Sequence, residues 1–358
     1  MPLHRLDVDA ALERLHGFDA VIDARSPSEH ALDALPGAVN WPTLDNEQRA
    51  RVGTMYKQVS AFEARKVGAA LAARNIADHV EGQAMAQPRE WRPLVYCWRG
   101  GQRSGSLATV LDAIGFQVHL LDGGYRAFRR ALLIDLEALP TRLSFRVLCG
   151  RTGSGKSRLL QALAAAGEPV LDLEALACHR GSVLGVLPDQ PQPGQKAFET
   201  ALWDRLRRFD PARPVWVESE SRTIGRLRVP EALMLRMRAS PCVVVDMPPA
   251  ARVQLLMQDY RHFVDDVEAF GDRLDALKEL RGAATVARWR EVARQGGLAE
   301  VVTELLEQHY DPVYLRSMSR NYAGFAAAPV CELPDGSEAS MARAVLQLQS
   351  LPKPLPDA

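Results

Sequence analysis

Two short stretches hold residue types that do chemistry on anions. In YCWRGGQRSGS, residues 96 to 106, Cys97 closes an apolar run and is followed by Gly100 and Gly101, with Arg99 and Arg103 close by. The glycines let the backbone curl, and a helix beginning near Ser104 would point its positive end into the curl. The spacing therefore predicts a nest of amide donors around one sulfur, with Trp98, Gln102 and Ser104 completing the loop. Such surroundings favour thiolate over thiol and make Cys97 an expected nucleophile, with Arg103 and Arg99 gripping an oxyanion. The alternative is a buried strand cysteine, as most free cysteines are.

The second stretch, GRTGSGKS at 150 to 157, satisfies the whole GxxxxGK[ST] pattern between the apolar run FRVLC and the helix-like SRLLQALAAA. Gly150, Arg151, Thr152, Gly153, Ser154 and Gly155 would wrap a terminal phosphate and Lys156 would neutralise it, with Ser157 as a candidate magnesium ligand. A bare diphosphate satisfies such a loop as well as ATP does. Glu218, Asp246 and Asp172 each follow an apolar run and are candidate acidic partners, Asp172 equally a helix N-cap. Glu220, Arg222, Arg226 and Arg228 in WVESESRTIGRLRVP read either as an RNA-facing patch, extended by Trp203, Arg205, Arg207 and Arg208, or as a solvated charged face. His179 and Arg180 in CHRGSVLG, with the turn PDQPQPGQKAFE, are candidates for a substrate loop.

Short apolar runs separated by helical spacing must position both loops. Such runs occur at DAVID, PLVYC and QVHLLDGG, and again at FRVLCG, PVLDL, PVWVE and CVVVD. This predicts two α/β domains with parallel sheets and loops at the carboxyl ends of the strands. We expect the first domain over 1–135, a linker over 136–145, a phosphate-binding domain over 146–250, its helical extension over 251–350 and a tail over 351–358. With 358 residues the chain can bury two cores, and zero formal net charge leaves RNA binding to local basic patches. Five irregularly spaced cysteines form no disulfide framework and no zinc pair. No stretch reaches the ~20 apolar residues that span a bilayer, so no membrane partner and a cytoplasmic protein are expected.

Around Cys97, VIDARSPSEH, LPGAVNWP and LLDGGYRAF resemble the strand-end Asp-x-Arg, Pro-Gly-Ala-x-Asn and Gly-Gly segments of rhodaneses. In these proteins the cysteine carries a transferable chalcogen atom. Here Asp23 and Arg25 either orient the loop from the neighbouring strand end or cap a turn. The same loop, read as CxxGxxRS, resembles that of cysteine phosphatases, although Tyr96 replaces their usual histidine. The loop is one residue longer than in many single-domain rhodaneses, which should admit a phosphate-like oxyanion. With YKQVSAFEARKVGAALAARNI, PREWRPLVYCWRGGQRS, GRTGSGKS, HRGSVLG and VESESRTIG in this order, the chain from about 6 to 330 resembles the tRNA 2-selenouridine synthase family. That resemblance implies a transferase acting on the wobble uridine of tRNA. The sulfur of 2-thiouridine is geranylated with geranyl diphosphate, and selenophosphate, delivered free or by its synthase, then replaces the geranylthio group with selenium. It implies no tightly bound cofactor. On this resemblance the P-loop would grip the diphosphate and Cys97 would act in selenation; extrusion of the base is expected, with Trp41, Trp98 and Tyr125 as candidate stacking surfaces. A rhodanese-type sulfurtransferase fused to a P-loop ATPase or kinase is the alternative.

Overall fold

The computed structural model describes residues 3–182, 185–187 and 190–352. Parts of the expected substrate loop (183–184 and 188–189) and of the tail (353–358) lie outside these residues. Two units separate: one takes the chain up to Asp135 together with Glu199–Asp204, the other the remainder.

In the first unit β1 (His4–Leu6) leads into α1 (Val8–Glu13), which Asp7 caps by accepting from the Ala10 amide. Then come β2 (Ala20–Asp23), α2 (Pro27–Leu32), β3 (Ala38–Asn40), α3 (Asn46–Gln58) and α4 (Ala61–His79). Capping boxes at Ser26/Glu29 and Asp45/Gln48 start α2 and α3, so turn chemistry written in the sequence sets these helix origins. β4 (Pro93–Tyr96), α5 (Gln102–Ile114), β5 (His119–Leu121) and the part of α6 (Gly124–Arg142) up to Asp135 complete it. The five strands form a parallel sheet in the order β1-β5-β4-β2-β3. Central β4 is buried along its whole length, as a parallel strand covered on both faces requires.

The expected linker is corrected: residues 136 to 142 continue α6 through Pro140, and β6 starts at Phe145. Leu132, Leu136, Pro140 and Leu143 are all buried at helical spacing, so the apolar stripe outweighs one lost amide bond.

In the second unit β6 (Phe145–Cys149) is central and α7 (Lys156–Ala165) follows the phosphate-loop sequence. Next come β7 (Val170–Leu171), α8 (Leu173–Ala177), α9 (Gln195–Leu206), whose residues 199–204 count with the first unit, β8 (Val215–Glu218), the hairpin β9 (Thr223–Ile224) and β10 (Leu227–Arg228), α10 (Glu231–Ala239) and β11 (Cys242–Asp246). The expected strand PVLDL is thus only two residues long, because Asp172 caps α8 by accepting from the Ala175 amide at 2.8 Å. Helices α11 (Pro249–Asp259), α12 (Arg261–Asp265), α13 (Val267–Leu274), α14 (Lys278–Arg281), α15 (Ala283–Arg294), α16 (Leu298–Leu305) and α17 (Asp311–Asn321) form the helical extension. Phe263, Phe270, Leu274, Trp289 and Leu305 build a core of its own there. The extension does not run to 350: β12 (Val330–Glu332) joins the sheet beside β11, giving the parallel order β12-β11-β6-β8-β7, and α18 (Glu338–Gln349) contributes Met341, Val345 and Leu348 to the core under α7.

Candidate active sites at two strand ends

Cys97 lies at the carboxyl end of β4 and α5 begins five residues later, as the motif predicts. Its exposure differs from expectation. Only 3% of Cys97 reaches solvent, and its sulfur accepts a hydrogen bond from the Ser104 hydroxyl at 3.0 Å. The physical reason is the turn between β5 and α6. Gly100 and Gly124 hold positive φ, and a Cβ on Gly124 would stand 2.2 Å from the Cys97 carbonyl oxygen and 2.6 Å from the Gly100 nitrogen. The Tyr125 and Arg126 amides donate to the carbonyls of Cys97 and Trp98, pinning the loop against that turn. The positive end of α5 carries no side-chain cap, so its first amides remain oriented for an anion.

Arg103, the expected clamp, is paired: it donates to Glu29 at 2.5 and 3.4 Å. Burial pushes the Glu29 carboxyl up, but Arg103 more than offsets this and holds it below its usual range. Arg99 is exposed, and Gln102, also exposed, opens α5. Asp23 and Arg25 form a buried bidentate pair, with Arg25 donating onward to the Asp33 carbonyl and lying 4.0 Å over the Tyr125 ring. They brace the sheet end beneath the loop. Trp41 and Tyr125 are buried core residues, Trp41 stacked on His79 and Tyr125 donating its hydroxyl to Asp33 at 2.7 Å. Of the three stacking candidates, Trp98 alone keeps a partly exposed ring, packed on Tyr125.

The phosphate loop has its expected frame. Gly153 and Gly155 adopt positive φ, and a Cβ on Gly150 would come within 2.5 Å of the Val245 carbonyl oxygen. Lys156 is only 8% exposed and donates to the carbonyls of Gly150 and Arg151 at 3.0 Å each. The buried hydroxyls of Thr152 and Ser154 have no hydrogen-bond partner among the described residues, as suits a cradle for an anion. Arg252, unread in the sequence, is buried beneath: it donates to the Thr152 carbonyl at 2.7 and 2.9 Å and to Asp311 at 2.6 and 2.8 Å. It fastens the loop to the helical extension.

The loop borders a cavity of about 420 Å³. Asp172, His179, Arg180, Glu218 and Glu220 line it, joined by Glu174, Arg158, Tyr260 and Tyr314, which sequence reasoning missed. Glu174 had no signal beyond the helix-like run EALAC. The Ser157 hydroxyl lies 3.3 Å from Glu174 Oε2 and 3.3 and 3.4 Å from the Glu218 oxygens. One ligand atom from each of Glu174, Glu218 and Glu220 falls within 4.8 Å of the others. Burial and then mutual repulsion push all three carboxyls up, to about 8. Three carboxylates with a hydroxyl suit a hard divalent cation, so this donor set fits magnesium. Asp246 is exposed and lies outside this wall; of the three acidic candidates, Glu218 is the one that meets the Ser157 hydroxyl.

The buried His179 has an Nδ1 without a hydrogen-bond partner among the described residues, and Arg180 lies 4.7 Å over the Tyr260 ring. Arg222 and Arg226 do not reach the cavity. Arg226 anchors to the Gln192 carbonyl, and Arg222 faces Glu231 at 3.8 Å. Trp203 is buried and cannot extend a surface patch. Cys149, Cys242 and Cys331 are buried in strands, whereas Cys178 caps α8 with positive φ and borders the cavity.

A second, apolar cavity of about 50 Å³ opens beside the first and shares Thr152, Ser182, Leu256 and Tyr260 with it. Its remaining walls are side chains of the helical extension, among them Met257, Phe263, Phe270 and Leu305.

A strand-end cysteine loop in one parallel unit and a phosphate loop in the other define a rhodanese-like domain joined to a P-loop domain. A rhodanese-like domain model matches residues 7–131, and a tRNA 2-selenouridine synthase AAA domain model matches residues 143–275. Proteins described as tRNA 2-selenouridine synthase are similar along most of the chain. Those from Alcanivorax borkumensis and Bdellovibrio bacteriovorus are each 33% identical over 84% of this chain and 90% and 89% of their own lengths; one from Nitrosomonas europaea is 37% identical over 67% of this chain and 63% of its own. The chain belongs to the tRNA 2-selenouridine synthase family. No described helix is long and apolar enough to cross a membrane.

Proposed function

We propose that the chain is a transferase that makes 2-selenouridine at the wobble position of tRNA in two steps, the first at the P-loop and the second at Cys97. The observation that carries the first step is the joining of a phosphate loop to an apolar slot through shared walls. That combination fits an amphiphile with a diphosphate head and a hydrocarbon tail, here geranyl diphosphate. Lys156 and the loop amides take the diphosphate, and a magnesium ion on Ser157 and Glu218 would neutralise its remaining charge. The sulfur of 2-thiouridine attacks the allylic carbon, a C–S bond forms as the C–O bond breaks, and diphosphate departs while N3 of the base loses its proton. The slot admits about four waters at its present width, so a ten-carbon chain enters only as the lining side chains move aside.

In the second step selenium from selenophosphate bonds to C2, geranylthiol leaves, and water takes up the phosphoryl group. Cys97 acts here as nucleophile: its thiolate takes the phosphoryl group as selenide is released to C2, and water then hydrolyses the S–P bond, with the amides of α5 holding the oxyanion. Since Cys97 is nearly buried and Arg103 is paired with Glu29, oxyanion entry exchanges Glu29 for the substrate at Arg103.

The test is mass spectrometry of the wobble base after incubating the protein with thiolated tRNA, first with geranyl diphosphate and then with selenophosphate. A geranylated base followed by a selenated one supports the reading; an unchanged base overturns it. The contact of Ser157 with Glu218 favours a second reading, an ATPase joined to a sulfurtransferase. Rapid ATP turnover without geranylation would establish that one.

A further inference from the structure

Beyond the two reaction centres, a pocket of about 390 Å³ lies between the β9–β10 hairpin and α10. Its walls present the guanidinium-bearing residues Arg222, Arg228 and Arg238 against a single carboxylate, Glu231, over an apolar floor that includes Met234 and Leu235. Glu231 neutralises little: it approaches Arg222 only to 3.8 Å, and both side chains are about two-thirds exposed. Arg238 Nε is buried with no hydrogen-bond partner among the described residues. Leu235 is 58% exposed although it belongs to the floor. The hairpin itself is held firmly. Gln195 exchanges two 2.8 Å hydrogen bonds with the Arg228 backbone, and the Val229 amide donates to the Arg222 carbonyl at 3.1 Å.

The geometry points to a nucleotide subsite for RNA: the arginines grip a phosphodiester and the floor receives the face of the attached base. Guanidinium forks match phosphate oxygens in pairs, and unstacked bases seek flat or apolar surfaces. An acidic peptide would use the arginines and leave the floor uncovered. Chain continuity says which nucleotide. Glu220 lines the P-loop cavity and Arg222 lines this pocket, so their Cα atoms lie no more than about 7 Å apart. The nucleotide bound here therefore neighbours the base presented to the P-loop cavity.

This subsite rests on the reading that the chain acts on tRNA. The test measures tRNA binding by fluorescence anisotropy across a salt series for the parent protein, for Arg228→Ala with Arg238→Ala, and for Leu235→Glu, whose exposed position leaves folding undisturbed. Geranyl diphosphate binding by calorimetry is the control. In the double variant affinity should fall at least tenfold, the slope of log affinity against log salt should become shallower by about 0.7, and geranyl diphosphate binding should not change. Leu235→Glu should also weaken binding. A parent protein that binds no tRNA would sink the reading itself. Parent binding with both variants equal to it in affinity and slope would overturn the subsite and leave the reading standing, as would polyglutamate displacing tRNA as effectively as a single-stranded oligonucleotide.

Discussion

At the residue scale the two centres separate by which side chain each step requires. Cys97→Ser should abolish selenation and leave geranylation unchanged; loss of both in a folded variant would break the division of labour. Ser104→Ala removes the hydroxyl 3.0 Å from the sulfur. A hydrogen bond to a charged group contributes about 1.5–3 kcal/mol, so selenation should slow by about tenfold or more, again with geranylation intact. Lys156→Ala should weaken geranyl diphosphate binding by about ten- to a hundredfold in calorimetry, by the same arithmetic. Unchanged affinity would leave the phosphate loop without this ligand.

At the element scale, helix origins and turns decide how well each loop is formed. Gly124 begins α6 at φ +55, and its neighbours leave no space for a methyl group. Gly124→Ala should therefore cost about 1–3 kcal/mol in denaturant unfolding and lift the cysteine loop, with selenation falling most. A variant of parental stability and activity would show that the turn does not shape the loop. In the second unit Arg252 ties the carbonyl of Thr152 to Asp311 at the start of α17. Arg252→Met should release the phosphate loop and raise KM for geranyl diphosphate more than it lowers kcat, since no reacting atom touches Arg252. An equal fall in kcat with KM unchanged would refute this positioning role.

At the scale of the whole molecule, the wall of Glu174, Glu218 and Glu220 links folding to pH and to a cation. An unfolded chain releases these protons near pH 4.3, whereas burial and repulsion hold them in the folded protein up to about 8. Between those values the folded state binds more protons. The stability contributed by the protonated wall is thus complete below about pH 4 and is lost as pH rises through about 8. Millimolar magnesium should raise the melting temperature at pH 9 and leave it nearly unchanged at pH 5, and Glu218→Gln should weaken both the pH and the magnesium dependence. A magnesium effect equal at the two pH values would exclude this wall as the cation site.

Both anion loops were legible because each depends on local backbone freedom and on a strand-to-helix junction, which glycines and apolar runs encode within about ten residues. The parallel sheets followed from the same runs. Long-range packing was not legible: Arg252 meets Thr152 from 100 positions away, and Glu174 joins Glu218 from 44. No local pattern announces such partners. The linker reading failed because Pro140 is a strong local signal, whereas the burial of Leu136 and Leu143 that keeps the helix intact is a tertiary fact. Tertiary structure alone also decided that Cys97 is covered, that Arg103 answers Glu29, and that an apolar slot opens beside the phosphate loop. Residue types and spacing establish which groups are available for chemistry. Only the packed chain determines which of them face one another, because contact across a core depends on where distant elements settle.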